Sequence, residues 1–249
     1  MKLTESTTLV TGATRGIGRE LTRQLVACGA QVVAVGRDHD SLAALAAEHG
    51  DRVHPWPVDL AEPAAVDAFI HDVTNRHPTL SVVINNAGVQ TLTDFLVDDP
   101  QALRPALRRE IALNFDAVVA LSTGLLPHLC RQPSAAIVTV TSGLALAPKR
   151  SAPVYCATKA AVRTFSRALR YQCEASAPHV RVIDAVMPLV DTDMTRGRGR
   201  GKISSSDAAA AMIGGISRDS TEIHIGKVRL LHALMRISPG LAYRILRDS

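Results

Sequence analysis

Tyr155 and Lys159 stand four residues apart in the run Tyr155-Cys156-Ala157-Thr158-Lys159, and Ser142 lies thirteen residues before the tyrosine. On a helix, a four-residue step is about one turn, so the phenol and the ammonium project from one face. A phenol ordinarily titrates at about 10, and a neighbouring cation favours its ionised form, drawing it toward a range where it can exchange protons near neutrality. A serine hydroxyl beside that phenol can hold a carbonyl oxygen. These are the parts needed to reduce a carbonyl or to oxidise an alcohol. A second reading of the same residues requires no chemistry: an amphipathic helix with an aromatic edge and a lysine whose stem lies on apolar surface.

The octet Thr11-Gly12-Ala13-Thr14-Arg15-Gly16-Ile17-Gly18 follows a short apolar run, Thr8-Leu9-Val10, and precedes a stretch with helical periodicity. A turn without β-carbons at this place lets a pyrophosphate approach the N–H groups that open the helix. A tight turn with no ligand is the alternative, and the strand before it and helix after it favour dinucleotide binding.

Elements that position these residues alternate along the chain. Strands are predicted at Thr8–Val10, Gln31–Val35, Val53–Val58, Leu80–Ile84, Ala135–Thr141 and Val180–Val186, with a final edge strand at Ile223–Ile225. They are short, continuous apolar runs, the form of strands buried on both faces. Helices are predicted up to Cys28, from Asp40, from Pro63, from about Pro105 to Cys130, from Ala152 to Glu174, and after a Ser204-Ser205-Ser206-Asp207 cap. The tail 227–249 mixes Leu, Ile and Met with Arg and His at helical spacing, interrupted at Pro239-Gly240. Alternating strands and helices with short connections predict a single α/β domain over residues 1–249: a Rossmann-type, doubly wound parallel sheet of about seven strands with helices on both faces. A 47% hydrophobic fraction with only 3% aromatics calls for a core of Ala, Val, Leu and Ile.

Other function classes fit less well. The net charge is +5, and its densest part is Arg196-Gly197-Arg198-Gly199-Arg200-Gly201-Lys202. The alternating glycines predict a mobile, solvated loop, and without interleaved aromatics the run does not read as a nucleic-acid contact. Cys28, Cys130, Cys156 and Cys173 lack metal or disulfide spacing and read as reduced helix-packing residues. The nine histidines show no helical metal pair, so no metal is expected. Met1 to Thr8 lacks the apolar stretch of a secretory signal, and no apolar run reaches membrane-spanning length, which predicts a cytoplasmic protein without an integral membrane segment.

Over about residues 5–226 the chain resembles the short-chain dehydrogenase/reductase family, through the Thr11–Gly18 turn, Asn85-Asn86-Ala87-Gly88 and the set Ser142, Tyr155, Lys159 in the family's order. The resemblance implies hydride transfer between a nicotinamide dinucleotide and a carbonyl or alcohol, with Tyr155 as acid/base, Ser142 as hydrogen-bond donor, Lys159 acting on the tyrosine and on the cofactor ribose, and Asn114 as fourth catalytic residue. It implies cofactor contacts from Gly12, Thr14, Arg15, Gly16, Ile17, Gly18, Arg37, Asp59, Leu60, Asn86, Ala87, Gly88, Pro188, Val190 and Thr192, with Asp59-Leu60 at the adenine. Where NAD-preferring members carry an acid at the end of the second strand, this chain has Gly36 followed by Arg37. With Arg15 in the turn, two guanidiniums can clasp a 2′-phosphate, so NADP(H) is expected, and Asp38 keeps NAD(H) as the lesser alternative.

One departure follows the sixth strand, where the family's Pro-Gly-x-Val-x-Thr reads Met187-Pro188-Leu189-Val190-Asp191-Thr192. Proline removes a donor and fixes φ, which puts the local path of the backbone near the nicotinamide in doubt. A substrate loop is expected at 191–203, and Leu92, Phe95, Leu144, Leu146, Val154 and Met194 suggest a pocket for an apolar or amphipathic small molecule. By the same resemblance, a homo-oligomer (dimer or tetramer) is expected. An alternative role is an NADP(H)-binding redox sensor or scaffold with little turnover.

Overall fold

A computed structural model describes residues 1–4 and 6–248; Glu5, at the edge of the resembling stretch, and Ser249, the last residue of the tail, lie outside the described residues. Seven strands form one sheet in the order β3-β2-β1-β4-β5-β6-β7, and every pairing is parallel. They are β1 (Thr7–Thr11), β2 (Gln31–Gly36), β3 (Val53–Pro57), β4 (Leu80–Asn85), β5 (Ala135–Ser142), β6 (Val180–Met187) and β7 (Glu222–His224). The helices between them are α1 (Gly16–Ala27), α2 (His39–His49), α3 (Pro63–Arg76), α4 (Pro100–Ile111), α5 (Ala117–Leu129), α6 (Pro153–Ser176) and α7 (Ser205–Ser217), followed by α8 (Val228–Ile237) and α9 (Pro239–Leu246).

Alternation along the strands divides the core in two. Val10, Val32, Val82 and Ile183 face one side, against Leu21 and Leu25 of α1, Leu42 and Leu45 of α2, and Ala208 and Met212 of α7. Leu9, Val33, Val83 and Val182 face the other, against Phe69 and Val73 of α3, Leu121 and Leu125 of α5, and Leu169 of α6. This is the expected doubly wound fold. The strand order reverses between β1 and β4, and in such sheets ligands bind at the carboxyl ends of the strands beside that crevice.

Several boundaries differ from expectation. The long helix begins at Pro100, capped by Asp99 through a 3.0 Å bond from Gln101 N–H, and Pro105 lies within it. Both prolines suit a first helical position, and the aspartate cap selects the earlier one. Between α4 and α5 a π-helical segment, Ala112–Asp116, inserts one extra residue per turn. Strand β3 carries Pro55 and Pro57, which an edge strand tolerates because its outer side needs no ladder. The run Pro100–Leu129 is, contrary to expectation, long and apolar enough to satisfy a length-and-composition test for crossing a membrane. Its buried side chains Leu113, Ala117, Leu121, Leu125 and Leu129 pack in the core, and a core helix meets the same test. All four cysteines are free; Cys156 and Cys173 are buried as expected, whereas Cys28 and Cys130 are exposed because each lies at the C-terminal cap of its helix.

Candidate active site

The glycine turn is shaped by its neighbours. Gly12 and Gly16 have φ of 66° and 51°, the left-handed region that side chains avoid. Gly18 is excluded from carrying a side chain for another reason: a β-carbon there would stand 2.0 Å from the Gly12 carbonyl oxygen. The turn is clasped from β4. Asn86 Nδ2 donates to Thr11 O at 2.9 Å, and the N–H groups of Asn86 and Ala87 both donate to Thr11 Oγ1 at 2.9 Å. Arg15, the N-cap of α1, makes no side-chain cap bond, so the helix opens toward the turn with uncapped N–H groups. A cradle without β-carbons in front of a bare helix N-terminus fits a pyrophosphate.

At the end of β2, Gly36 lies beside Thr14 and Leu42. Arg15 and Arg37 are exposed. Asp38 is committed elsewhere: its carboxylate accepts from Ser41 N–H at 2.7 Å and caps α2. Asp59 is held by Arg109, whose Nη2 lies 2.6 Å away, and by Ala61 N–H at 3.0 Å. Burial works against the Asp59 charge, but the Arg109 contact prevails and its pKa falls. Leu60 is buried beside it.

Asn114, Ser142, Tyr155 and Lys159 converge at the carboxyl ends of β4 and β5. Asn114 lies in the π segment, with no exposed surface, and its amide grips Val89 on both sides: Oδ1 accepts from Val89 N–H at 2.9 Å and Nδ2 donates to Val89 O at 2.8 Å. A second donation, at 3.3 Å, reaches Thr158 Oγ1 on α6. A β-carbon on Gly88 would sit 3.2 Å from Asn114 Oδ1 and 3.6 Å from Lys159 Nζ, so these two groups share the wall behind Gly88. Lys159 is buried, donates to Val140 O at 2.8 Å, and places Nζ 5.7 Å from the centroid of the Tyr155 ring. Ser142 ends β5 and accepts from Leu144 N–H at 3.1 Å.

The electrostatics correct one expectation. Burial pushes Tyr155 up to about 12, with Ser142 opposing, rather than Lys159 drawing the phenol down. Lys159 itself is depressed to about 8 by burial, against the pull of Asp184 and Glu110. Tyr155 is half-buried by surface, and the shift reflects a hydroxyl that faces inward. By itself the chain therefore holds a protonated phenol beside a lysine that exchanges its proton near neutrality.

The stretch after β6 closes on the turn. Thr192 Cγ2 lies 3.0 Å from where a Gly16 β-carbon would stand. Val190 is buried, bridges to Ile203 in parallel, and its carbonyl accepts from Thr195 Oγ1 at 2.6 Å. Pro188 Cγ lies 3.6 Å from where a Gly226 β-carbon would stand. The basic loop has the irregular backbone its glycines predict, with φ of 74°, 59° and 69° at Gly197, Gly199 and Gly201, yet it is pinned rather than solvated throughout. Arg198 donates to Gln90 Oε1 at 2.6 Å and Lys202 to Thr195 O at 2.7 Å. Of the apolar candidates, Leu92 and Phe95 are exposed and Leu144, Leu146, Val154 and Met194 are half-buried. Leu231 of α8 approaches Gly143, and Arg150 N–H donates to Arg247 O at 2.9 Å, so the tail packs against the segment that follows β5.

Two features went unseen in the sequence. Glu110, with no exposed surface, faces this region. His224 and His232 stack with ring centroids 4.4 Å apart and share a cluster with Glu222 whose ligand atoms lie within 4.8 Å. Glu222 and His224 lie two residues apart on β7 and His232 comes to them from α8, an approach that helical spacing within one segment does not reveal. Both Glu222 oxygens are occupied, by Arg163 at 2.9 Å and Arg167 at 2.6 Å, so the cluster is an ion-pair network.

The short chain dehydrogenase family model matches residues 6–202. The uncharacterized oxidoreductase DltE of Bacillus subtilis (strain 168) is 38% identical over 230 residues, spanning 90% of this chain and 89% of that protein. A short chain dehydrogenase from Burkholderia cenocepacia J2315, solved in complex with NADP, superposes with a TM-score of 0.86 at 25% identity, covering 100% of both chains. A short-chain dehydrogenase from Sphingobium yanoikuyae in complex with NADPH gives 0.80 at 26% identity, over 95% of this chain and 94% of that one. With the parallel sheet and the glycine turn, these likenesses identify the chain as a member of the short-chain dehydrogenase/reductase family, an NAD(P)-dependent oxidoreductase.

Proposed function

We propose that the protein interconverts a carbonyl and a primary or secondary alcohol with NADP(H), Tyr155 serving as acid/base. The observation that carries this reading is the convergence of Asn114, Ser142, Tyr155 and Lys159 behind Gly88, beside the glycine turn. When bound, the nicotinamide supplies or accepts the hydride. The chain's own residues handle the proton. Tyr155, raised to about 12, is protonated at neutral pH and able to donate to a developing alkoxide. Ser142 donates a hydrogen bond to the same oxygen. Lys159, near 8, replaces the proton that Tyr155 gives up. Asn114 fixes the backbone at Val89 and the start of α6 through Thr158, so the set keeps its geometry.

NADP(H) is favoured over NAD(H) because Gly36 offers no acid to a ribose hydroxyl, Asp38 is spent on capping α2, and Arg15 and Arg37 remain exposed for a 2′-phosphate. The cofactor contacts are those named from the resemblance, with Asn86 and Ala87 acting through the turn they clasp. Residues 191–203 form the substrate loop and the tail 227–248 packs against the segment that follows β5, in one domain that takes an apolar or amphipathic small molecule. The setting proposed is a cytoplasmic homo-oligomer. The test is Tyr155→Phe. Screened against aldehydes, ketones and secondary alcohols by NADPH absorbance, the variant should bind NADPH as the parent does and lose turnover. Substantial carbonyl reduction by the variant refutes the role of Tyr155. NADPH binding by the parent without turnover on any substrate points instead to a redox sensor.

A further inference from the structure

The last turn of α4 carries a carboxylate in a place where a core helix would ordinarily hold an apolar side chain. Glu110 has no exposed surface. Its Oε2 accepts from Thr91 N–H at 3.1 Å, while Oε1 is buried without a hydrogen-bond partner among the described residues. A bare buried carboxylate oxygen is costly, and it persists in a fold only where something compensates it: a proton, a water or a use. Burial raises the pKa of Glu110, with Thr91 and the Lys159 charge opposing. Its position supplies a use. Glu110 lies one turn before Asn114, and the two hold successive parts of the segment after β4, Glu110 at Thr91 and Asn114 at Val89. Asn114 Oδ1 and Lys159 Nζ in turn flank Gly88. Glu110, Asn114 and Lys159 thus line one wall behind residues 88–91.

Building on the acid/base reading above, we propose that Glu110 is a positioning residue that serves as the proton reservoir of the Tyr155–Lys159 pair. In reduction, the Tyr155 O–H bond breaks and its proton goes to the product oxygen. Lys159 ammonium then gives a proton to the phenolate and becomes an amine. The Glu110 carboxyl returns a proton to that amine through water bound at Oε1, leaving a carboxylate that regains its proton from solvent. Every step moves one proton, and no oxidant or reductant is needed.

The test uses Glu110→Gln in the full chain, because glutamine keeps the acceptor for Thr91 N–H and removes the titrating proton. If Glu110 is a reservoir, kcat for carbonyl reduction falls roughly 10- to 100-fold with KM and NADPH affinity unchanged. The parent's loss of rate as pH rises through the Glu110 transition also vanishes in the variant. Parent-like kcat and pH profile in Glu110→Gln mean that the residue only holds Thr91, and overturn the proposal. A second measurement does not depend on turnover. Infrared titration follows the protonated carboxyl band that Glu110→Gln removes, and Lys159→Met should shift its titration upward, since the ammonium that opposes protonation is gone. An unmoved band overturns the link to Lys159. If the parent reduces no carbonyl, the acid/base reading falls while the infrared result still decides whether Glu110 and Lys159 exchange charge.

Discussion

Replacing Gly18 by alanine should disable cofactor binding by a route that can be worked out from distances. The new β-carbon would lie 2.0 Å from Gly12 O, 2.8 Å from Gly12 C and 2.7 Å from Asn86 Nδ2. Comfortable contacts are about 3.5 Å, so the turn and α1 must part by more than ~1 Å. Two of those atoms are backbone, which cannot rotate away. Overpacking of this kind, with loss of the Asn86 clasp on Thr11, should cost about 2–4 kcal/mol. In a domain of this size that lowers Tm by roughly 5–15 °C. Displaced N–H groups should forfeit about two charge-assisted bonds to pyrophosphate, a loss of NADPH affinity of roughly 100-fold. The assay is urea unfolding followed by the single tryptophan, Trp56, which packs edge-on to Phe69 in the core, together with NADPH fluorescence titration. Gly50→Ala is the control: with φ of 59°, ψ of −143° and nothing within 4 Å, it carries only a backbone penalty of about 1–3 kcal/mol and leaves affinity intact. If Gly18→Ala unfolds within 0.5 kcal/mol of the parent, a threshold near ~RT, and binds NADPH equally well, the clash argument is wrong.

Burial opposes the Glu222 charge, but Arg167 and Arg163 hold its pKa at about 2, below the ordinary 4.5. A carboxylate depressed in the folded state stabilises above its unfolded pKa and loses that contribution as pH falls toward the folded value. Glu222→Gln should therefore cost on the order of 1–2 kcal/mol at pH 7, after allowance for partial exposure, and the gap from the parent should close between about pH 4.5 and 2; urea unfolding across that range checks it, and a constant gap refutes it. Gly36→Asp should shift preference toward NADH by roughly tenfold or more, because a side chain there meets Thr14 and Leu42 only at ordinary contact distances of 3.4 and 3.6 Å and brings a carboxylate to the ribose. Ratios of kcat/KM for the two cofactors decide this, and an unchanged ratio counts against the assigned end of β2.

The sheet and its order of elements were legible because buried parallel strands advertise themselves as short β-branched runs and because three glycines stand together at the turn after β1. The set Ser142, Tyr155 and Lys159 could be named from spacing, since the tyrosine and lysine share a helix and the serine closes the preceding strand. What spacing hides is environment. Nothing local told that the Tyr155 hydroxyl and Lys159 are buried enough for desolvation to outweigh their mutual charge, or that Glu110 turns inward at a helical position resembling the charged ones around it, Arg108 and Arg109. The pinning of the basic loop was hidden likewise, because Gln90 and Arg198 meet only after β4 and β6 are placed in the sheet. Asp38 illustrates the converse: whether it binds ribose or caps a helix depends on where β2 ends, a boundary that sequence periodicity leaves loose by a residue or two.

The strand order carries a consequence for how the molecule assembles. β1, β2 and β3 are neighbours in both chain and sheet, as are β4 through β7, so only the β1–β4 pairing, Leu9 with Val83 and Val10 with Ile84, joins partners out of sequence. The glycine turn belongs to the first group, and Asn114, Ser142, Tyr155 and Lys159 to the second. Chemistry and cofactor cradle thus meet only once the single most costly loop closure has been made. A ligand that bridges the two groups should act as a clamp on that seam, slowing its opening, so that protection of the β1 and β4 amides from hydrogen exchange reports occupancy of the site.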